Sequence, residues 1–170
     1  ATVSGLQNIL AGDQAMTVYK PIKAEAEAAA AAAIALLKDQ DLSALTGGLT
    51  LNNGTNDVPF LALEPVGVTK DKIASTVIAD GFRTWEEICV GDFAAFCTEA
   101  TMAGEMEEAM MDDGGATDIM SMMPDASGAS GSIWVLLPDS ASSARWETDD
   151  RRFFEEAFDA AGVEYNIVNA

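Results

Sequence analysis

The amino-acid sequence predicts an α/β fold, a three-layer arrangement in which a parallel sheet is covered by helices on both faces, and three observations carry that prediction. Residues 133–168 run through an apolar stretch, a polar loop, an amphipathic stretch, Gly162 and a second apolar stretch, the order of a strand–helix–strand unit. Residues 15–37 pass from a short run with Thr, Val and Tyr through Pro21 into an alanine-rich segment, which reads as strand, turn and helix with proline near the first turn. Alternation of the two element types argues for a parallel sheet with helices on both faces, and 170 residues suffice for one ordinary core.

Taken in order, residues 15–19 form the first expected strand, and the helix that follows Pro21 is expected to bury Ile22, Ala26, Ala29, Ala33 and Leu37, spaced three and four apart. Residues 39–57 are a polar connection with Gly47, Gly48 and the turn pair Asn53-Gly54. The Asn52-Asn53-Gly54 block offers amides to a ligand, but turn formation explains it without one. Residues 60–68 are apolar enough for a buried strand, made irregular by Pro65. Thr69 is a plausible N-cap for a helix through Asp80, with Ile73 and Val77 on the buried side and Gly81 just past its end. A short helix over residues 85–97 follows.

Composition then changes. Residues 98–131 hold seven methionines, many acids and repeated Gly, Ser and Ala. Met102, Met106 and Met110 are four apart, the spacing of a helical packing face rather than a metal box, and residues 125–131 read as flexible linker. Beyond them come a strand over Ile133–Leu137, a loop over residues 138–144, a helix over residues 145–161, Gly162, and a strand over residues 163–168. Phe153, Ala157, Phe158 and Ala161 mark the buried face of that helix, and Glu147 with Arg151 and Arg152 with Glu156 are exposed pairs four apart.

Nine Lys and Arg stand against 28 Asp and Glu, so the net charge is −19 with no histidine. Such a surface repels phosphate, which argues against nucleic-acid partners and anionic membranes. Histidine catalysis and histidine-ligated zinc are excluded. The longest apolar stretch, residues 28–37, is about half a membrane span. The acid excess reads as a solvated surface, with a halophilic or marine source as a second reading. The chain starts at Ala1 with no charged n-region and apolar h-region before it, so a processed protein or a fragment is expected. Cys89 and Cys97 are either a disulfide or two buried thiols.

Ligands of parallel sheets gather at the carboxyl ends of the strands, which directs attention to the loop after Leu137. It supplies Asp139, several serines, Arg145 and Trp146. An indole covers the C–H face of a sugar ring, while a guanidinium fork and a carboxylate take its hydroxyls in paired hydrogen bonds. The plainer reading makes Arg145 a local cap and Trp146 a core residue. A phosphate site lacks its glycine-rich turn, and the serines lack both a histidine and a nucleophile elbow.

Several blocks are recognisable. Residues 13–22 (DQAMTVYKPI), 50–54 (TLNNG), 57–59 (DVP) and 76–82 (TVIADGF) resemble the carboxyl-terminal part of xylose-binding proteins, substrate-binding components of sugar ABC transporters with the two-lobed type I periplasmic-binding-protein fold. That resemblance spans residues 1–97. Residues 132–170, including Arg145-Trp146, resemble the amino-terminal strand, helix and strand of the same family, so the family's end precedes its beginning here, joined by a linker over residues 98–131. A tandem array or a circular permutation accounts for the order, and the fragment of a tandem or fused reading frame is preferred.

The resemblance implies that Arg145 and Trp146 contact sugar from one lobe and that Lys20 reaches the cleft from the other, with Asp139 as a further ligand residue and Gln14 as the weakest candidate. The family's binding groups from the middle of the chain have no counterpart here. The resemblance also implies a Cys89–Cys97 disulfide, a periplasmic or extracellular location (a lipid anchor on the full-length protein being compatible), and no catalysis, cofactor or metal. The implied partners are a xylose-like monosaccharide and the membrane permease of an ABC importer, with no nucleic acid. The alternative is the sugar-sensing domain of a chemoreceptor or transcriptional regulator on the same fold.

Overall fold

The computed structural model describes residues 1–98, 119–139 and 141–170, which divide into two compact units. The first contains residues 1–21 and the described chain from Glu64 to residue 98; the second contains Ile22–Leu63 and the described chain from residue 119 to Ala170. The structure is mixed α/β, and its strands pair two by two rather than joining one wide parallel sheet. The helix expected on Met102, Met106 and Met110 lies outside the described residues.

The first unit opens with α1 (Val3–Ala11), a helix that the strand-first reading of the chain did not include. Its start is capped by Thr2, whose Oγ1 accepts the Gly5 amide at 3.1 Å, and its end by Gly12 at φ 87°. That left-handed conformation suits glycine because a Cβ would crowd the backbone. Leu6, Ile9 and Leu10 on one face are fully buried. Strand β1 (Thr17–Tyr19) pairs antiparallel with β4 (Val66–Val68).

Residues 60–65, expected as the first two-thirds of a buried strand, are instead coil and mostly exposed. Pro59 and Pro65 bracket the run, and neither can donate to a ladder. Helix formation over residues 70–80 is also modified: a 3₁₀ turn, Lys70–Lys72, leads into a π turn, Ala74–Ile78. The expected N-cap Thr69 does not cap it. Its hydroxyl donates to Asp71 Oδ1 at 2.5 Å, and the Thr76 hydroxyl bonds back to the Lys72 carbonyl, competing with the regular ladder. Ile73 and Val77 are fully buried as expected, and Gly81 follows at φ 67°.

The single helix expected over residues 85–97 is two short pieces, α4 (Trp85–Ile88) and a 3₁₀ segment, Gly91–Phe96. Thr84 and Glu87 form a reciprocal capping box that starts α4. Both pieces pack on α1, where the buried Gln7 amide donates to the Ile88 carbonyl at 2.9 Å. Cys89 and Cys97 are joined by a disulfide that clasps the two pieces. Closing so short a loop removes freedom from the unfolded chain, so the Cys89→Ser/Cys97→Ser variant should lose about 2–3 kcal/mol in chemical denaturation. A thiol titration without reductant should find no free thiol.

In the second unit, α2 (Ile22–Leu37) is the long alanine-rich helix. Its buried face differs from the expected one: Ile22 and Ala26 are buried, but the row continues through Ala30, Ala31 and Ile34, while Ala29 is exposed and Ala33 and Leu37 are half-buried. Alanine on every side of a helix leaves no apolar stripe to read, so packing chooses the face. Then come a short helix, α3 (Ser43–Thr46), and a hairpin of β2 (Thr50–Asn52) with β3 (Asp57–Pro59).

The strand–helix–strand unit forms. β5 (Ile133–Leu137) pairs parallel with β6 (Tyr165–Asn169), joined through a π turn, Trp146–Asp150, and helix α5 (Arg151–Ala161), which ends at Gly162 with φ 69°. Phe153, Ala157 and Phe158 are buried as expected, while Ala161 is half-buried. Helix α2 packs on α5 and on β5, so segments from the two ends of the resemblance share one core of Ala30, Ile34, Ala126, Ile133, Ala157 and Phe158. Residues 125–127, the start of the stretch read from composition as flexible linker, are held against this unit. Ala126 belongs to that core, and Lys38 Nζ at the end of α2 donates to the carbonyls of Asp125 at 2.7 Å and Ser127 at 2.8 Å.

Candidate functional site

The carboxyl ends of β5 and β6 are drawn together before any ligand is considered. Ala170 N–H donates to the Leu137 carbonyl at 2.9 Å, and Asn169 Nδ2 to the Pro138 carbonyl at 2.9 Å. Arg151 spans the same end, donating to the Ile167 carbonyl at 2.9 Å, to Asn169 Oδ1 at 2.7 Å and in a fork to Glu147 at 3.0 and 3.2 Å. Above this floor the chain leaves β5 through Asp139. Its exposed carboxylate accepts the amides of Ala141 at 3.0 Å and Ser142 at 2.7 Å, an Asx turn that shapes the loop.

Those amides, Ser142 first, hold the Asp139 carboxyl below the usual aspartate range, and the Arg151 fork does the same for Glu147. A carboxylate with a depressed native pKa contributes above its unfolded value and ceases to contribute as pH falls through its native one. Carboxyl NMR titration should therefore find both groups ionising below free Asp and Glu. The Asx turn and the Glu147–Arg151 pair should loosen only as acidity carries each through that lowered value.

Arg145 is the centre of the loop's charge. Nε and Nη2 donate to the two oxygens of Asp150 at 2.7 and 2.9 Å, and Nη2 also donates to Glu25 Oε2 at 3.0 Å. Its guanidinium carbon lies 4.8 Å from the Trp146 ring centroid, and Trp146 Nε1 donates to Ser142 Oγ at 3.3 Å. Asp150 above all raises the already high Arg145 pKa, so the cation is permanent. Two carboxylates fix one edge of the guanidinium, a bidentate geometry that lysine cannot copy. Among the described residues, Nη1 makes no hydrogen bond. The half-buried indole and that uncommitted edge present an aromatic face beside a planar pair of donors, which can take a hydroxylated ring by stacking and paired hydrogen bonds.

The structure thus brings Asp139, Arg145 and Trp146 into one loop system of the second unit. Lys20 belongs to the first unit, exposed and directly after β1, and Gln14 donates there to the Met16 carbonyl at 2.7 Å. The Asn52-Asn53-Gly54 block is a turn at the tip of the β2–β3 hairpin. Sequence reasoning did not include Asp150 or Glu25 in the site, and counted Ser142 only among the loop's hydroxyls. The first had a detectable signal only in hindsight of the π turn, whose i→i+5 pitch lays residues five apart on one side. Glu25 arrives from α2, 120 residues away. No cluster among the described residues could hold a metal ion, and no helix among them is long and apolar enough to cross a membrane.

Comparison with known proteins bears on half of the chain. The D-xylose-binding periplasmic protein of Escherichia coli (strain K12) is 47% identical over 88 residues, which is 52% of this chain and 26% of that protein. Its namesake from Haemophilus influenzae is 43% identical over 88 residues, with the same shares. The chain therefore spans about a quarter of the length of these curated relatives. No family model matches it, and no solved structure does. Half of this chain is thus related in sequence to the D-xylose-binding periplasmic proteins, the family to which its own sequence blocks point.

Proposed function

We propose that this chain is part of the substrate-binding component of an ABC importer for xylose or a similar monosaccharide, working in the periplasm without catalysis. The observation that carries the reading is the identity of 47% and 43% to two proteins named for xylose binding. Arg145, Trp146, Lys20 and Asp139 are the proposed sugar-binding residues. The arginine fork, oriented by Asp150 and Glu25, and the adjacent indole support it. In the intact protein, two lobes of the type I periplasmic-binding-protein fold, each a three-layer α/β body, close about the sugar, and the membrane permease reads that closed state.

The chain is proposed to hold a carboxyl-terminal part over residues 1–97, a linker over residues 98–131 and an amino-terminal strand–helix–strand unit over residues 132–170. The packing of α2 on α5 supports the view that residues 22–37 of the first part and the strand–helix–strand unit serve one lobe, with Lys20 on the other. Calorimetry with a panel of pentoses and hexoses, on this chain and on the full-length product, tests the reading. The full-length product should bind a pentose and leave it unchanged; turnover of any sugar, or no binding across the panel, would overturn the proposal.

A further inference from the structure

The tip of the β2–β3 hairpin carries chemistry that the sugar site does not use. Of six asparagines, at positions 8, 52, 53, 56, 166 and 169, Asn53 is the one followed by glycine. Residues 52–57 are all exposed, so the turn is open to water. Gly54 adopts φ 94°, and a Cβ built there would meet nothing within 4 Å. With no Cβ at position 54, the approach of its nitrogen to the neighbouring Asn53 amide meets no branch on the glycine itself.

We propose that Asn53 is a self-modification site: in the folded chain it deamidates through attack of the Gly54 nitrogen, with water as the sole co-reactant. The Gly54 backbone nitrogen loses its proton and bonds to Asn53 Cγ; the Cγ–Nδ2 bond breaks, and ammonia leaves carrying that proton. The product is a five-membered succinimide. Water then adds to one of its two carbonyls and opens the ring, either to aspartate or to isoaspartate, in which the main chain runs through Cβ and Cγ. Nothing is oxidised or reduced, and an amide has become a carboxylate.

The hairpin favours this step at three points. Asn53 Oδ1 accepts the amides of Thr55 at 3.0 Å and Asn56 at 2.9 Å, so two donors already rest on the oxygen where negative charge builds as nitrogen adds to Cγ. The Gly54 N–H points at Asn52 Oδ1, 2.9 Å away, which polarises the proton that must leave. Solvent access does the rest. The consequence is local but large: Asn52 Nδ2 binds Asp57 Oδ1 at 2.8 Å across the last pair of a hairpin held by only three, 50 with 59, 51 with 58 and 52 with 57. A carboxylate at position 53 adds negative charge next in the chain to the Asn52 that binds Asp57, and the extra backbone methylene of isoaspartate disturbs the register.

Incubating the native chain at neutral and mildly alkaline pH, with a denatured sample in parallel, tests this by peptide mass spectrometry and isoaspartyl methyltransferase labelling. Product should accumulate at Asn53 ahead of the other five asparagines, faster at higher pH, and in the native chain at no less than about a tenth of the denatured rate. Gly54→Ala should slow it by about tenfold or more. Because alanine is strained at that φ, Asn53→Gln, whose ring closure needs a six-membered product, is the second control and should abolish the isoaspartate at that position. A native chain that stays unmodified while the denatured one reacts, or one that reacts first at another asparagine, would overturn the proposal.

Discussion

Phe158→Ala is expected to destabilise the second unit by about 3–5 kcal/mol, a large part of the 5–15 kcal/mol that typically holds a whole domain together. Phe158 is fully buried, with its ring 5.2 Å from Tyr165 and 5.8 Å from Phe154 by ring centroids. It fills the junction where α5 meets Ala30 and Ile34 of α2 and Ile133 of β5. Two of the α2 residues in or against this core, Ala30 and Ala33, have no side-chain length with which to collapse into the space the ring would leave. The cost therefore includes the cavity as well as the lost transfer energy. Denaturant titration followed by circular dichroism checks it, with Phe158→Leu as the milder companion. A Phe158→Ala chain as stable as the parent would mean that this ring does not join α2 to the strand–helix–strand unit.

In the full-length protein, Arg145→Lys and Trp146→Ala are each expected to weaken monosaccharide binding by about tenfold or more, the equivalent of one or two lost charge-assisted hydrogen bonds or of a stacked ring. Lysine is the informative replacement at position 145. It keeps the positive charge between Glu25 and the largely buried Asp150 carboxylate, whose side chain is 10% exposed, so the loop is not left with an uncompensated buried anion. What it removes is the planar fork and the Nη1 edge. Arg145→Ala would instead mix lost binding with a destabilised loop. Calorimetry separates the cases: a lysine variant that folds as the parent does and still binds sugar at full affinity, together with an unaffected Trp146→Ala, would remove the proposed contact.

The parts of this molecule that were legible in the residue order are those in which local chemistry and final environment agree. Residues 133–168 announce a strand, an amphipathic helix, a glycine stop and a second strand, and that unit forms with Phe153, Ala157 and Phe158 inside. Pro21 before an alanine-rich run announces α2. The blocks at residues 13–22, 50–54, 57–59 and 76–82 point to the xylose-binding relatives, a likeness the comparisons bear out. The composition and charge excluded histidine chemistry without any structure.

Tertiary structure decided what local order leaves degenerate. A helix of alanines is equally apolar all round, so only its contacts with α5 and β5 select Ala30 and Ile34 over Ala29 and Ala33. Two prolines interrupt an apolar run that looks like a strand, and only ladder pairing reveals that three residues of it, Val66–Val68, take part. The partners of Arg145 lie beyond any sequence window. A π turn sets Asp150 beneath it, and α2 delivers Glu25 from 120 residues away. Sequence determined which residues carry charge, aromatic area and turn propensity; packing determined which of them meet, because burial rewards the sum of contacts across distant elements and not the preference of any one residue.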